Sequence, residues 1–405
     1  MRPPPPSAPW ASRLFTVGVT GTNGKTTTTT LVAAALARLG GPVARVTTLG
    51  SFLDDERLDV PFDHAGFVET MRRCLDRGGR RAAIELTSEA LALGFARAWP
   101  CRVGVFTNLT RDHLDAHGSA EHYLASKAQL FVHLPEGGAA ILNGCDPASS
   151  LLEEVVPGGV RVLRYGAPSR GEAHAPLDLR ARRVDVGWDG TRVALEASAR
   201  FGAAPPALST RAIGDVFAED ALAAFAAAVA SGVPPAEAAA AIAAAAPPPG
   251  RFEVVAERPR VVVDYAHTPD ALARTLAAAR RLAAGRRLTV VFGAGGDRDR
   301  DKRPLMGAAA RAADRVVLTS DNPRGEDPAA IAAAIRAGLG DHGDVAVVLD
   351  RARAIEGAVT SAAEGEIVVI AGKGHEAEQV IAGERRRFSD REVARAAAGL
   401  QQRPR

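Results

Sequence analysis

The sequence predicts an α/β protein of two consecutive domains, each with a mostly parallel sheet covered by helices. From Leu14 onward, short β-branched runs alternate with longer runs rich in alanine and leucine, which is the pattern of strand–helix–strand units. The alternation stops at "APPPG", residues 246–250, and then resumes. Because proline and glycine clusters end regular elements, we predict domains at 14–248 and 249–405, after a proline-rich disordered segment at 1–13.

Each domain has its own set of predicted elements. The predicted strands of the first domain are 15–19, 82–85, 103–107, 139–143 and 160–165. Between 178 and 212, polar and apolar residues alternate around Trp188-Asp189-Gly190, which indicates an antiparallel hairpin. An alanine-rich block at 218–245 predicts helix. The predicted strands of the second domain are 261–264, 288–292, 315–319, 345–349 and 367–370.

The composition excludes several classes of protein. In 405 residues, 50 basic and 47 acidic side chains leave a net charge of +3, too balanced to indicate nucleic acid or a membrane as partner. The three cysteines, Cys74, Cys101 and Cys145, are far apart and fit neither a disulfide framework nor a metal cluster. The N-terminus has prolines where a signal peptide would carry an apolar run, and no stretch of membrane-spanning length is free of charge. We therefore expect a cytoplasmic protein; the oligomeric state stays open.

A glycine-rich loop follows the first predicted strand and precedes a helix, which is the arrangement of a P-loop ATPase domain. Glycine backbone N–H groups and a helix N-terminus hold phosphate oxygens, lysine contacts the β- and γ-phosphates, and a threonine hydroxyl ligates Mg²⁺. Val19 stands where the strict pattern has glycine. The cofactors predicted are ATP and Mg²⁺. The predicted nucleotide contacts in this loop are Thr22, Asn23, Gly24, Lys25, Thr26 and Thr27.

Acidic and histidine residues follow two other predicted strands. Glu85 ends one strand, and His113 lies in a histidine-rich stretch, residues 105–131, just after another. Ligands of open α/β sheets bind at the carboxyl ends of strands. We therefore predict that Glu85 and His113 converge on a metal beside the phosphates; solvent-facing loop histidines are the alternative.

The chain resembles the Mur ligase family, and in particular its diaminopimelate-adding branch. The resemblance rests on motifs that stand in order: "TGTNGKTT", "FTNLTRDHLDAHG", "GRFE", "DYAHTPDAL", "GGDRDRDKRPLMG", "DNPRGEDP" and "AGKGHE". It implies a Rossmann-like C-terminal domain and an ATP-dependent amide ligase. In such an enzyme a carboxylate attacks the γ-phosphate, and an amino acid then displaces phosphate from the acyl phosphate.

The resemblance also assigns residues to roles. Lys25, Glu85, His113 and Lys127 become catalytic residues, with Thr26, Glu85, His113 and a carbamylated Lys127 around the metal; an ordinary salt bridge is the alternative for Lys127. The C-terminal residues that close over the nucleotide are Arg251, Asp264 and His267. The residues implied for the incoming amino acid are Arg298, Asn322, Arg324, Gly372 and Glu376.

The chain departs from the family where the carboxylate substrate binds. Before the phosphate loop we expect only the proline-rich segment, without the family's uridine-nucleotide domain. In "ELTSEALALGF" the family's serine, histidine, glutamine and arginine are replaced by Thr87, Glu89, Leu93 and Phe95. The paired threonines expected near residue 61 are missing from "DVPFDHAGF", and Asp220 replaces an asparagine near the adenine.

These departures predict a different, smaller or more apolar carboxylate substrate, and three alternatives remain. The first alternative is a diaminopimelate-adding ligase whose uridine domain comes from a partner protein. The second is a non-catalytic nucleotide-binding scaffold. The third is a ligase for glutamate or another amino acid.

Overall fold

The computed structural model describes residues 8–110 and 119–401, which form two compact units that divide between Pro247 and Pro248. The fold is mixed α/β, with a large, mostly parallel sheet in the first unit and a second sheet in the C-terminal unit. None of the helices within these ranges is long and apolar enough to cross a membrane.

The first unit contains a sheet in the order β11-β10-β9-β8-β7-β6-β1-β5-β2-β3-β4. Its strands are β1 (Phe15–Thr20), β2 (Val43–Thr47), β3 (Gly50–Leu53), β4 (Glu56–Arg57), β5 (Arg81–Glu85), β6 (Val103–Phe106), β7 (Ala139–Asn143), β8 (Arg161–Gly166), β9 (Leu179–Gly187), β10 (Gly190–Ala197) and β11 (Ala207–Thr210). The strands from β9 to β2 are parallel, and antiparallel strands complete both edges.

The helices of the first unit cover both faces of this sheet. They are α1 (Lys25–Leu36), α2 (His64–Asp76), α3 (Ser88–Ala92), α4 (Phe95–Ala98), α5 (Ala120–Val132), α6 (Ala148–Glu154), α7 (Asp215–Ala230) and α8 (Pro235–Ala244). Because side chains alternate along a strand, Ala83 packs with α1 and α7, whereas Ala82 and Ile84 pack with α2 on the other face. Helix α7 is buried along most of its length because alanine lets it pack closely against α1.

The second unit contains a sheet in the order β12-β13-β17-β14-β15-β16, parallel except for β12. Its strands, with the separate hairpin of β18 and β19, are β12 (Glu253–Glu257), β13 (Arg260–Asp264), β14 (Leu288–Phe292), β15 (Arg315–Leu318), β16 (Val345–Val347), β17 (Ile367–Ala371), β18 (Glu378–Ile381) and β19 (Glu384–Arg387). Its helices are α9 (Pro269–Ala283), α10 (Lys302–Ala310), α11 (Pro328–Leu339), α12 (Arg351–Ser361) and α13 (Asp390–Gln401).

The antiparallel hairpin predicted around Trp188 is confirmed, because β9 and β10 pair with Gly187 opposite Gly190. The strands β2–β4, β11 and β12 and the hairpin β18–β19 were not predicted. They are short or carry charged residues, so their local pattern is weak.

The prediction of disorder at 1–13 is wrong for its described part, residues 8–13. Ala11–Arg13 form a turn of 3-10 helix, Ala11 is buried, and the ring of Trp10 lies 5.6 Å from that of Trp99 in an edge-to-face contact. Burial of this apolar surface orders the segment despite the prolines before it. Residues 1–7 lie outside the described ranges.

Candidate active site

The glycine-rich loop of residues 21–24, called the phosphate loop below, joins the carboxyl end of β1 to the amino end of α1. Gly24, the last loop residue, has a φ of 84°, and a Cβ atom there would overlap the Oδ1 atom of Asp220. Only glycine fits both demands. The first N–H groups of α1 have no partner within the helix, so this end of the helix attracts anions.

The end of the neighbouring strand β6 shapes this loop through two side chains. The Oδ1 atom of Asn108 accepts a hydrogen bond from the backbone N–H of Asn23 (3.0 Å), and its Nδ2 atom donates to the Asn23 carbonyl (3.1 Å). The Thr107 hydroxyl donates to the same carbonyl (2.6 Å). These three hydrogen bonds fix the loop backbone at Asn23, a role that sequence reasoning did not assign to Thr107 and Asn108.

The cationic group of the loop stays close to the backbone that carries it. The Lys25 Nζ atom donates to the Thr22 carbonyl at 2.8 Å, so the ammonium lies over the loop. The Thr27 side chain is buried, so a phosphate contact from Thr27 would use its backbone N–H. The predicted residues Thr22 to Thr27 thus lie together in one loop and one helical turn.

Two oxygen ligands suited to Mg²⁺ lie side by side at the carboxyl ends of β1 and β5. The Thr26 hydroxyl donates to the Oε2 atom of Glu85 at 2.9 Å, and the backbone N–H of Thr48 donates to the same atom at 3.1 Å. Parallel pairing aligns Val19 with Glu85, which places the carboxylate beside the loop. Mg²⁺ keeps several waters and takes one or two protein oxygens plus phosphates, so Thr26 and Glu85 fit this ion.

Lys127 reaches the phosphate loop from helix α5. Its Nζ atom donates to the Gly21 carbonyl at 2.7 Å and lies 4.1 Å from the centre of the Tyr123 ring, and the side chain is only 1% exposed. The Tyr123 hydroxyl in turn donates to the Thr22 hydroxyl (3.2 Å). Lys127 thus lies against the phosphate loop; its carbamylation and its role as a metal ligand stay predictions.

Part of the predicted metal site cannot be placed. His113 lies outside the described residues, so its convergence with Glu85 stays a prediction. Within the described ranges, no cluster of three or more His, Cys, Asp or Glu side chains is arranged to hold a metal ion.

The altered substrate segment follows β5 and packs against helix α2. Thr87 caps α3 by accepting from the Ala90 N–H (3.2 Å), and Glu89 is exposed. Phe95 makes an edge-to-face contact with Phe67, with ring centres 5.0 Å apart, while Leu93 is 41% exposed. The side chains of Leu93 and Phe95 are therefore apolar at the positions where the resemblance implies glutamine and arginine.

Asp220 lies beneath the phosphate loop on the first turns of α7. Its side chain is buried, and its Oδ1 atom accepts from the Thr28 hydroxyl at 3.3 Å. The preceding residue, Glu219, is also buried and accepts from the Ser169 hydroxyl (3.0 Å). The Asp220 carboxylate thus contacts both helix α1, at Thr28, and the end of the phosphate loop, at Gly24.

In the second unit, Arg251, Asp264 and His267 form one group around Tyr265. The guanidinium of Arg251 lies 4.3 Å from the centre of the Tyr265 ring, and His267 Nδ1 is 2.8 Å from the Tyr265 carbonyl. The Asp264 carboxylate is buried and accepts from the N–H groups of Phe252 (2.6 Å) and Ala266 (2.9 Å). Asp264 thereby organises the segments that carry the other two residues; direct nucleotide contact by the three stays a prediction.

His375 adjoins this group and was not assigned from the sequence. Its ring centre lies 5.1 Å from that of Tyr265, and its buried Nδ1 atom has no hydrogen-bond partner among the described residues. Burial, reinforced by the positive charges of Arg251 and Arg391, lowers the pKa of His375 to about 4. The imidazole is therefore neutral at pH 7.

The residues predicted for the amino acid converge at the carboxyl ends of β15 and β17. The Asn322 Nδ2 atom donates to the Glu376 Oε2 atom at 3.0 Å. Arg324, held at a φ of 52°, donates to the Gly296 carbonyl at 2.7 Å. A Cβ atom at Gly295 would lie 3.0 Å from Arg324 Nη1 and 3.8 Å from Arg298 Cγ, so both arginines flank the same turn.

Lys373 is the main residue of this cluster that sequence reasoning missed. Its side chain is fully buried and its Nζ atom donates to Asn322 Oδ1 (3.0 Å) and Glu376 Oε2 (2.8 Å). Its position inside "AGKGHE" was the available signal. Gly372 has a φ of 116° and lies against the Asp321 carboxylate. A Cβ atom at position 372 would come within 2.5 Å of Asp321 Oδ2, so only glycine leaves room for it.

A second unassigned pair holds the turn after β14. Arg303 donates to both oxygens of Glu326 (2.9 and 3.1 Å), and Glu326 Oε1 accepts from the Asp297 N–H (2.6 Å). The Arg303 hydrogen bonds lower the pKa of Glu326 to about 2. The pair thereby fixes the turn that carries Arg298.

Comparison with known proteins identifies the family. The chain matches the Mur ligase middle domain over residues 19–228 and the Mur ligase glutamate ligase domain over residues 250–374. It is 42% identical over 396 residues to the UDP-N-acetylmuramoyl-L-alanyl-D-glutamate–2,6-diaminopimelate ligase of Thermosynechococcus vestitus, covering 95% of this chain and 77% of that one. The similarly named ligase of Solibacter usitatus is 42% identical over 398 residues, with the same coverage of both chains.

Solved structures show the same fold. A structure of a UDP-N-acetylmuramoyl-L-alanyl-D-glutamate–2,6-diaminopimelate ligase superposes with a TM-score of 0.65 at 33% identity, covering 96% of this chain and 79% of that one. A folylpolyglutamate synthase of Mycobacterium tuberculosis, complexed with ADP and AMPPCP, shares the fold with a TM-score of 0.68 at 20% identity, covering 97% and 92%. The chain therefore belongs to the Mur ligase family of ATP-dependent ligases.

Proposed function

We propose that this enzyme joins a diaminopimelate-like amino acid to a carboxylate substrate other than the UDP-muramoyl dipeptide. A carboxylate oxygen bonds to the γ-phosphorus of ATP as ADP leaves. The amino group then bonds to the carbonyl carbon of the acyl phosphate, inorganic phosphate leaves with the C–O electron pair, and the nitrogen loses its proton.

The first step is supported by the phosphate loop and its neighbours. Lys25 and the N–H groups at the start of α1 would orient the triphosphate and balance its charge, with no covalent role for the protein. Thr26 and Glu85, 2.9 Å apart, would hold Mg²⁺, which supplies positive charge to the phosphates. The hydrogen bond from the Thr48 backbone N–H holds the Glu85 carboxylate in this position.

The second step is supported by the cluster at Asn322 and Glu376. An arginine fork binds a carboxylate bidentately, so Arg298 and Arg324 would hold an amino-acid carboxylate. Glu376, already paired with Lys373 at 2.8 Å, would accept the distal ammonium. A substrate with both a carboxylate and a second amino group matches this cluster.

The carboxylate substrate is argued from Phe95, the observation that carries this proposal. Its ring packs on Phe67, so no guanidinium is available where the resemblance implies one. Leu93 and Phe62 are exposed at 41% and 72%, so an apolar side chain stands at the surface in both altered segments. A substrate that presents apolar surface beside its carboxylate fits better than an anionic sugar nucleotide.

The competing function is addition of diaminopimelate to the UDP-muramoyl dipeptide itself, and the names of the relatives favour it. A mass-spectrometric assay that holds ATP and diaminopimelate constant and varies the carboxylate separates the two. We expect an amide product from a different carboxylate and little from UDP-N-acetylmuramoyl-alanyl-glutamate. Rapid turnover of that dipeptide, with or without an added protein, contradicts the proposal.

Two controls make the assay decisive. Lys25→Ala should abolish every product, since the phosphate loop then loses its cation. ATP binding without phosphate release in any combination of carboxylate and amine would instead support the non-catalytic alternative.

A further inference from the structure

A cavity of about 520 Å³ lies at the amino ends of strands β1, β5 and β6. Four arginines line it: Arg13, Arg80, Arg81 and Arg102. No Asp or Glu is among the described residues that line it. The candidate active site lies at the other end of the same strands. Strand β1 is six residues long, so roughly 20 Å separates the two ends.

The sheet itself brings these arginines together. Strands β6, β1 and β5 are adjacent and parallel. Arg102 directly precedes β6, Arg81 is the first residue of β5, and Arg13 lies two positions before β1. Phe15 N–H bonds to the Arg80 carbonyl (2.8 Å), and Arg102 N–H bonds to the Thr16 carbonyl (2.8 Å). Since neighbouring strands lie about 4.8 Å apart, the cationic side chains start from closely spaced backbone positions. The cluster is thus a consequence of strand register.

The charge of this cluster is not balanced by the described part of the chain. None of the four arginines forms an ion pair with a described carboxylate, although Arg80 donates to the Gly79 carbonyl and Arg81 to the Gly40 carbonyl (both 2.8 Å). By contrast, exposed Arg182 and Arg192 of the β9–β10 hairpin pair with Glu196 and Asp189. Residues 1–7, MRPPPPS, contain no acidic side chain either. Like charges in one cavity repel unless an anion binds.

We propose that this arginine cavity is a second ligand site, which binds a small molecule carrying two or more phosphate groups. Guanidinium groups bind phosphate oxygens bidentately. Four guanidinium groups carry more positive charge than one carboxylate ligand can balance, which favours a ligand with several negative charges. The volume lies in the range of small-molecule sites. Pro100 and Pro135 line the cavity with rigid backbone. A concave site of this size favours a small anion over a nucleic acid.

The chain carries its own reporter for this site. Trp10 and Trp99 are in edge-to-face contact and lie within three residues of the lining residues Arg13 and Arg102. The remaining tryptophan, Trp188, lies in the β9–β10 turn. In a Trp188→Phe protein, fluorescence therefore reports on the surroundings of the cavity.

The test is titration with inorganic tripolyphosphate in a Trp188→Phe, Lys25→Ala protein. The Lys25 substitution weakens binding at the phosphate loop, and the two remaining tryptophans report on the cavity. We expect saturable binding that weakens with salt, and about tenfold or more weaker binding in the Arg13→Gln/Arg102→Gln variant. The matched control, Arg182→Gln/Arg192→Gln, removes the same charge and should bind as tightly as its parent. ATP added in place of tripolyphosphate tells whether a nucleoside is also accepted.

Several results would overturn the proposal. They are no saturable binding in the parent protein, unchanged binding in Arg13→Gln/Arg102→Gln, and equal weakening in both double variants. All four substituted arginines are on the surface, so folding should persist, and matching circular dichroism melts would verify this. Ligase activity of Arg13→Gln/Arg102→Gln should equal that of the wild type.

Discussion

Arg351 and Asp390 form an ion pair with two hydrogen bonds (Nε–Oδ1 2.7 Å, Nη2–Oδ2 2.8 Å), and both side chains are fully buried. The remaining donors of Arg351 reach the Ser320 carbonyl (3.2 Å) and the Ala371 carbonyl (2.9 Å). These carbonyls lie just beyond β15 and at the end of β17, the two strands that lead to Asn322 and Gly372. The pair therefore positions the backbone of the proposed amino-acid site.

Replacing Arg351 by Met should disrupt this site in a specific way. It leaves the Asp390 carboxylate buried and unpaired, which costs about 3–5 kcal/mol of stability. Because the two strand ends lose their common donor, we also expect KM for the amino acid to rise more than KM for ATP. Steady-state kinetics and urea unfolding measure the two effects. Equal changes in both KM values would contradict a positioning role, and Arg353→Met, an exposed neighbour, is the matched control.

Replacing Glu85 by Gln should raise the Mg²⁺ concentration needed for half-maximal activity by about tenfold. The amide keeps the shape and can still accept from Thr26 and Thr48, but it lacks the negative charge that a hard cation prefers. Activity measured against Mg²⁺ at saturating ATP tests this. An unchanged Mg²⁺ requirement would exclude Glu85 as a ligand. The control is Thr48→Val, which removes the Thr48 hydroxyl 3.4 Å from the same Glu85 oxygen but keeps the backbone N–H donor and the negative charge.

Lys127 should act as a carbamate rather than as an ammonium ion. A buried cation beside Mg²⁺ would repel it, whereas a carbamate adds a negative oxygen ligand. We expect wild-type activity to fall in CO₂-depleted buffer and to recover on addition of bicarbonate. Full activity without CO₂ would contradict carbamylation. Lys127→Ala should lose activity, with partial recovery in the presence of a short-chain carboxylate such as acetate.

His375 should resist protonation until about pH 4. Its pKa is about 4 in the folded protein against about 6.5 in an unfolded chain. Between these values the unfolded state binds the proton and the folded state does not, so the free energy of unfolding falls as the pH drops from 6.5 to 4. His375→Asn should remove that contribution.

Histidine NMR measures this prediction directly. A resonance absent from His375→Asn should titrate near pH 4, while exposed His174 serves as the reference. Titration of the His375 resonance near pH 6.5 would show that its burial and its cationic neighbours have no such effect.

Local sequence determined the parts of this protein that depend on backbone conformation and residue type over a few positions. The strand–loop–helix order around Lys25 and the alternation that produces two sheets were readable because glycine, proline and periodicity act locally. Edge strands such as β12 were missed, since pairing with a neighbour stabilises them more than their own residues do.

Tertiary structure decided which distant residues share a site. Glu85 meets Thr26 because β1 and β5 pair in parallel register, and Lys373 meets Asn322 across 51 positions of sequence. The four arginines of the cavity come from three separate segments for the same reason. Sequence carries residue type and spacing, but sheet register and burial set which charges approach one another, and those depend on the whole packed core.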